Sequence, residues 1–243
     1  MRTSYGLDLV GNCLACPLRK KQFFCNLSVH ALQGLHDIKA STAYRRGSML
    51  FMEGRQARGV FLLCSGEAKL SASSFTGRII ITKISEPGDV LGLNAIIANR
   101  PYEVTAEMMV PGQANFIPRA SLLQFRKDHG EVTSRIVEQL SRDYNAASEE
   151  LRLLGLTRSP AEKFATLLLS WWNKTAPGSH LAEIHLTLNH EEIAEILDTT
   201  RETVSRLFGK FERERLLQLK GKALVIRNRR ALEKIAPRWE SCG

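Results

Sequence analysis

The chain has 243 residues, 44% of them hydrophobic, with a formal net charge of +9 and a pI near 9.5. No apolar run approaches the roughly 18–20 residues of a membrane span, and the opening MRTSYGLDLVGN lacks the basic-then-apolar order of a secretory signal. The expectation is a cytoplasmic protein of one large or two modest domains with no membrane partner, whose basic balance suits a polyanion such as nucleic acid.

Three of the five cysteines fall within CLACPLRKKQFFC, Cys13 to Cys25. In a reducing compartment a lasting disulfide among Cys13, Cys16 and Cys25 is disfavoured. A metal or cluster, transient redox chemistry and plain burial stay open. Arg19, Lys20 and Lys21 between them either lower thiolate pKa and offset cluster charge or form a solvated loop.

From about Tyr44 to Pro118 short apolar runs alternate with glycines: Gly47, Gly54, Gly59, Gly66, Gly77, Gly88 and Gly92. Each run is of strand length and rich in β-branched or aromatic residues, and glycine permits the positive φ of tight turns between strands. The pattern predicts an antiparallel β-roll, jelly-roll-like. Cys64 lies inside it, in VFLLCSG, where a lone cysteine in an apolar strand ordinarily acts as a small buried hydrophobe.

After Pro118 a short helix is expected around ASLLQFRKDHG. Val132, Ile136, Leu140, Tyr144, Ala147, Leu151 and Leu154 then recur at steps of three or four, the spacing of one helical face. Such a stripe suits packing on its own domain or a dimer seam. Gly155 and Pro160 end it, with a hinge expected near Thr157–Ser159. AEKFATLLLSWWNK reads as a further helix, and Pro177-Gly178 as a turn.

The stretch from Thr187 to Leu197 reads as a strand edge entering a short helix. Asp198-Thr199-Thr200 interrupts it, and Thr200 is a good N-cap for a second helix beginning at Arg201. That helix directs Val204, Leu207, Phe208 and Phe211 inward and Arg201, Glu202, Ser205, Arg206 and Lys210 outward. Two helices joined by a tight turn form a helix-turn-helix whose second helix enters the major groove. Arg pairs with guanine O6 and N7, Glu accepts from cytosine N4, and Lys210, Arg213 and Arg215 suit phosphate. LLQLKGKALVIRN follows as a hairpin wing turning at Gly221.

A β-roll, a long helix and then RETVSRLFGKFERERLLQLKGKALVI resemble the cyclic AMP receptor protein/FNR superfamily of bacterial transcription regulators, closest to its FNR-like branch. The resemblance covers nearly the whole chain. It implies an α+β fold: an N-terminal antiparallel β-roll sensor domain, a long dimerisation helix and a C-terminal winged helix-turn-helix. The expected boundaries are a cysteine-containing segment 1–28, the β-roll 29–118, the dimerisation helix 119–156 and the DNA-binding domain 157–243. It further implies a homodimer seamed through Ile136, Leu140, Tyr144, Ala147 and Leu151, RNA polymerase as a partner, and double-stranded DNA with a palindromic, TGA-containing site. Glu202 and Arg206 match the family's main base-reading pair. Ser205 matches an added reader of the FNR branch and Arg201 a position used in the cyclic AMP branch, with Thr200 and Lys210 completing the set. Asp198 stands where the family's turn usually has Gly.

The family's nucleotide pocket begins Gly-Glu and places an Arg before a small hydroxyl residue and Ala. Here Gly88-Asp89 replaces the first and Val104 precedes Thr105-Ala106, so no cyclic AMP is expected. Cys13-Leu14-Ala15-Cys16 resembles the start of the FNR cluster motif, which implies an oxygen-labile [4Fe-4S] cluster on Cys13, Cys16, Cys25 and a further thiolate. Cys25 follows at a longer spacing than the family's. Asn115 occupies the family's fourth position, just before Ile117-Pro118, which leaves Cys64 as the β-roll candidate and Cys242 as a tail thiol. Four thiolates hold zinc as well as iron–sulfur clusters, and thiol modification without a cluster remains open. The expected function is a homodimeric, sequence-specific transcription regulator answering a redox, oxygen or nitric oxide signal through the cluster. The alternative is the same regulator with thiol-based or other small-molecule sensing. No Ser-His-Asp set, phosphate loop or paired-carboxylate motif points to an enzyme.

Overall fold

The computed structural model describes residues 9–16, 19–20, 24–156, 159–175, 182–221 and 223–236. The hinge at Thr157–Ser159, the Pro177-Gly178 turn and Cys242 therefore lie wholly or partly outside the described residues. The chain divides into two compact units, Met1–Ala146 and Ala147–Gly243.

The first unit opens with helix α1 (Val29–Ile38), capped by Ser28 Oγ, which accepts from the Ala31 N–H at 3.2 Å. Strands β1 (Ala40–Tyr44), β2 (Met49–Phe51), β3 (Gly59–Leu63), β4 (Glu67–Ser73), β5 (Ile79–Ser85) and β6 (Val90–Leu91) follow. Helix α2 (Leu93–Ala98) interrupts them before β7 (Thr105–Val110) and β8 (Gly112–Pro118). The strands form two antiparallel four-stranded sheets, ordered β1-β8-β3-β6 and β2-β7-β4-β5, which makes the expected β-roll. Most of the turn glycines do adopt positive φ, but Gly59 does not. It begins β3, where a Cβ would stand 2.3 Å from the Ile117 carbonyl oxygen, so close backbone approach is what excludes a side chain there.

Helices α3 (Arg119–Asp128) and α4 (Gly130–Leu156) complete this half of the chain. One face of α4 packs on the roll: Val132 and Ile136 are buried in its core and Leu140 lies against it. Polar contacts reinforce the packing. Gln139, buried on α4, receives the Val90 N–H at 3.2 Å and donates to the Val90 carbonyl at 2.9 Å. Lys83 bridges Asp89 at 3.0 Å and Asp143 at 2.8 Å. Burial alone would pull the Lys83 pKa down, but the two carboxylates outweigh it and hold it above the usual lysine value.

The second unit contains α5 (Pro160–Thr175), β9 (Ala182–His185), α6 (His190–Leu197), α7 (Arg201–Arg213), β10 (Leu217–Lys220), β11 (Ala223–Ile226) and α8 (Arg229–Ile235). Its core joins Phe164, Leu168 and Trp172 of α5 to Phe208 and Phe211 of α7. The strands form one antiparallel sheet, β10-β11-β9, turning at Gly221 with φ +62. The strand sought at Thr187 lies earlier, at β9, because Asn189 caps α6 and Leu186 to Leu188 form the connection. Among the described residues no helix is long and apolar enough to cross a membrane.

Candidate functional site

Two places in the chain gather chemistry, one in each unit. In the first, Cys13, Cys16, Cys25 and Cys64 line a single pocket, together with Arg19, Asn115 and the apolar side chains of Val10, Leu32 and Leu62. Each wall has a local cause. Cys25 is buried just before α1, next to Phe24, whose ring is wholly buried and anchors this stretch in the core. Cys64 follows β3, and its N–H donates to the Gln113 carbonyl at 2.8 Å. Leu62 pairs with Asn115 across the β3–β8 ladder. Since alternate strand residues share a face, Cys64 lies one strand over from Asn115. Asn115, where the family pattern would put a thiol, thus has Cys64 near it at the end of the neighbouring strand β3.

The segment carrying Cys13 and Cys16 is tied to the roll through backbone groups. Gln113 accepts from the Val10 N–H at 2.7 Å and donates to the Val10 carbonyl at 3.0 Å. The same side-chain amide donates to Asn115 Oδ1 at 3.1 Å. Lys39 Nζ donates to the Gly11 carbonyl at 2.9 Å. Arg19 curls back to donate to the Leu14 carbonyl at 3.2 Å. Neither Gln113 nor Lys39 stood out in the sequence, because their role depends on a sheet register and not on a motif.

None of these four thiols is joined in a disulfide. Burial raises the pKa of Cys13, and neighbouring Cys16 adds to the rise while Lys39 opposes it. Burial, then the nearby Cys64, Cys13 and Cys16, pushes the Cys25 thiol far up. Cys64 is pushed up to about 12 by burial and by Cys13, again opposed by Lys39. Cys64, Cys13 and Cys16 all act on Cys25, so the four are electrostatic neighbours. Burial in this largely apolar pocket favours the neutral thiol at Cys13, Cys25 and Cys64, with Lys39 opposing at Cys13 and Cys64. The donor set matches in number and kind what a [4Fe-4S] cluster or a tetrahedral zinc ion requires. Among the described residues, however, no three His, Cys, Asp or Glu side chains are already drawn together tightly enough to hold a metal ion.

A clasp joins this pocket to α4. Ser28, three residues after Cys25, donates its N–H to Glu131 Oε2 at 3.0 Å and its hydroxyl to Glu131 Oε1. Those two bonds from Ser28 hold the Glu131 carboxyl below its usual pKa. Arg135, one turn on, donates to the Asn26 carbonyl at 3.2 Å. On the rest of α4, Ile136 is buried in the chain's own core and Leu140 is half-buried, whereas Tyr144, Ala147 and Leu151 are exposed. Val137, absent from the sequence-derived seam, is 60% exposed, beside 72% for Tyr144 and 70% for Leu151. These three recur every seventh residue, and Leu140 and Ala147 fall between them.

In the region of the family's nucleotide pocket, Tyr102 stacks on Phe51 at 4.0 Å and donates to the Gly59 carbonyl at 2.7 Å. Gly92, at φ +79, lies so near that a Cβ there would meet the Tyr102 ring at 2.7 Å. Val104 packs on the core and Asp89 is committed to Lys83.

In the second unit, Asn189 and Glu192 close a reciprocal capping box at the start of α6. Asp198 takes the left-handed conformation at φ 53, the geometry for which the family usually has Gly. Thr200 caps α7, accepting from the Thr203 N–H at 3.3 Å. Val204, Leu207, Phe208 and Phe211 are buried, while Arg201, Glu202, Ser205, Arg206 and Lys210 are exposed along the outer face. Glu202's carboxyl is held low by its own backbone N–H and by the Thr200 hydroxyl. Arg206 donates to Thr203 Oγ1 at 3.2 Å, which braces the guanidinium along the helix. Ser205 Oγ lies 2.9 Å from His190 Nδ1.

A family model described as a Crp-like helix-turn-helix domain matches residues 162–235, and one described as a cyclic nucleotide-binding domain matches residues 41–129. The chain is 32% identical over 169 residues to the transcriptional activatory protein AadR of Rhodopseudomonas palustris, covering 69% of each. It is 25% identical over 227 residues to the fumarate and nitrate reduction regulatory protein of Yersinia pestis, covering 93% of this chain and 90% of that one. Among solved structures it resembles FixK2 of Bradyrhizobium japonicum with a TM-score of 0.72 at 23% identity, over 83% of this chain and 99% of that one.

Proposed function

Because this chain belongs to the cyclic AMP receptor protein/FNR superfamily of DNA-binding transcription regulators, which are not enzymes, we propose that it acts as a homodimer whose four-cysteine pocket senses a redox, oxygen or nitric oxide signal. The observation that carries the reading is the convergence of Cys13, Cys16, Cys25 and Cys64 on one pocket whose border is clasped to α4. Regulators of this family bind DNA, and the similarity to a fumarate and nitrate reduction regulator favours the FNR type of sensing.

Cys13, Cys16, Cys25 and Cys64 would hold a [4Fe-4S] cluster, which when bound supplies a centre that oxygen or nitric oxide can break down. The protein's own part is mechanical. The four thiolates draw the N-terminal loop, the stretch before α1 and the end of β3 onto one point. When that hold is lost, the stretch from Cys25 to Ser28 is free to shift. Its bonds to Glu131 and Arg135 pass the shift to the first turns of α4. The heptad Val137, Tyr144 and Leu151, with Leu140 and Ala147 between, supplies an apolar seam for a second copy. A change at the head of α4 then alters how two recognition helices are spaced, which biases a two-state equilibrium toward or away from DNA.

On α7, Glu202 and Arg206 read the core of a palindromic TGA-containing site, Ser205 and Arg201 read flanking bases, and Lys210 and the Thr200 end of the helix meet phosphate. RNA polymerase is the expected partner on such a promoter. Fluorescence anisotropy on a palindromic TGA duplex, with anaerobic protein before and after air, tests the whole reading. Signal-dependent binding that Glu202→Ala abolishes supports it. Equal affinity in every state overturns the sensing half, and binding indifferent to Glu202→Ala overturns the assignment of α7.

A further inference from the structure

We propose that His190 determines what Ser205 reads on DNA, so that one position of the half-site changes its base preference with pH. The inference rests on α7 being the reading helix.

His190 is the first residue of α6. Its ring stacks on buried Phe208 of α7, with centroids 4.8 Å apart and planes within 6°. Its Nδ1 lies 2.9 Å from Ser205 Oγ, and Ser205 is exposed on the outer face of α7. The ring is thus fixed by stacking, with one nitrogen on the hydroxyl proposed to face DNA. A serine hydroxyl has one proton and two lone pairs. When Nδ1 is unprotonated it accepts a hydrogen bond from that hydroxyl, and Ser205 presents lone pairs alone to DNA. It then suits a base that donates, adenine N6 or cytosine N4. When Nδ1 carries a proton the ring donates to Ser205 Oγ, the hydroxyl is free to donate outward, and Ser205 suits thymine O4 or guanine O6 and N7.

On α6 the charged groups next to His190 in sequence are Glu191 and Glu192, and the Glu192 carboxylate accepts from the Asn189 N–H at 2.9 Å. On α7 the charged neighbours of Ser205 are Arg201, Glu202 and Arg206, of mixed sign. From α5, Lys163 is held at the far end of α6, donating to the Leu197 carbonyl at 3.3 Å. Imidazole is the side chain whose charge ordinarily changes between about pH 5 and 8, which makes pH the variable to test.

The test measures affinity of the full chain for palindromic duplexes carrying each base pair in turn at the position whose preference Ser205→Ala flattens. At about pH 8 the wild type should favour a donor-presenting base there, and by about pH 6 the ratio should move roughly fivefold toward acceptor-presenting bases. His190→Phe keeps the stack on Phe208 and removes Nδ1, so its preference at this position should not move with pH. A pH-independent wild-type preference overturns the proposal, as does an equal shift in His190→Phe. Glu202→Ala separates the two levels. If it leaves specific binding intact, the reading of α7 falls and this inference with it. If it abolishes discrimination while the Ser205 position ignores pH, only the His190 assignment falls.

Discussion

Replacing Glu131 with Ala removes both bonds that tie Ser28 to the head of α4. A hydrogen bond to a charged group contributes about 1.5–3 kcal/mol. This carboxylate is exposed, so solvent screening brings the pair down to roughly 1 kcal/mol in all. That corresponds to about a fivefold rise in local opening. Native-state hydrogen exchange reads it directly, since Ser28 N–H is itself a donor to Glu131 and the Ala31 amide depends on the Ser28 cap. Both amides should exchange about fivefold faster, with amides in the second unit unchanged. The DNA response to air should shrink in the same variant. The clasp is also pH-sensitive in a defined direction. Because its bonds lower the folded pKa of Glu131, its contribution is fully present above the ordinary carboxylate value of about 4.3. It is lost as pH falls through the depressed value. Unchanged exchange at Ser28, with an undiminished response to air, would refute the coupling route.

The α4 seam predicts that Tyr144→Glu, combined with Val137→Glu, yields monomers in analytical ultracentrifugation. Each buried apolar side chain contributes about 1.5–3 kcal/mol and is lost from both copies. On α7, Lys210→Ala should weaken all DNA sequences alike and reduce the salt slope by about one per protomer, whereas Glu202→Ala should abolish the preference for the TGA-containing site. In the second unit Phe211, fully buried against Phe164 at 5.2 Å, supports the platform of α7. Phe211→Ala should destabilise that unit by about 3–5 kcal/mol, read as a lowered midpoint in denaturant.

The helix-turn-helix was legible in the sequence because its signals are local. Asp198 and Thr200 are turn and cap residues acting within a few positions, and the buried residues of α7 follow the helical period. The glycine-punctuated runs likewise led to the β-roll. What escaped reading depends on tertiary contacts. α1 (Val29–Ile38) is short and carries Gly34, so its strongest determinant is burial of Ala31, Leu32 and Leu35. The stripe on α4 read as one face, yet the fold gives Ile136 to the roll and leaves Val137 outside, because α4 has two apolar faces one residue out of phase. The four cysteines could be named together only through the family resemblance. That they share a pocket depends on the pairing of β3 with β8, which no local pattern encodes. His190 lay in plain view of the motif, but its contact with Ser205 exists only once α6 and α7 cross.

The proposed cluster on Cys13, Cys16, Cys25 and Cys64 can be assayed as iron and acid-labile sulfide in protein purified without oxygen, comparing the wild type with Cys64→Ser and Cys242→Ser. About four iron and four sulfide per protomer are expected in the wild type and in Cys242→Ser, lost on exposure to air, with little of either in Cys64→Ser. A colourless, iron-free wild type, or full loading of Cys64→Ser, would contradict it.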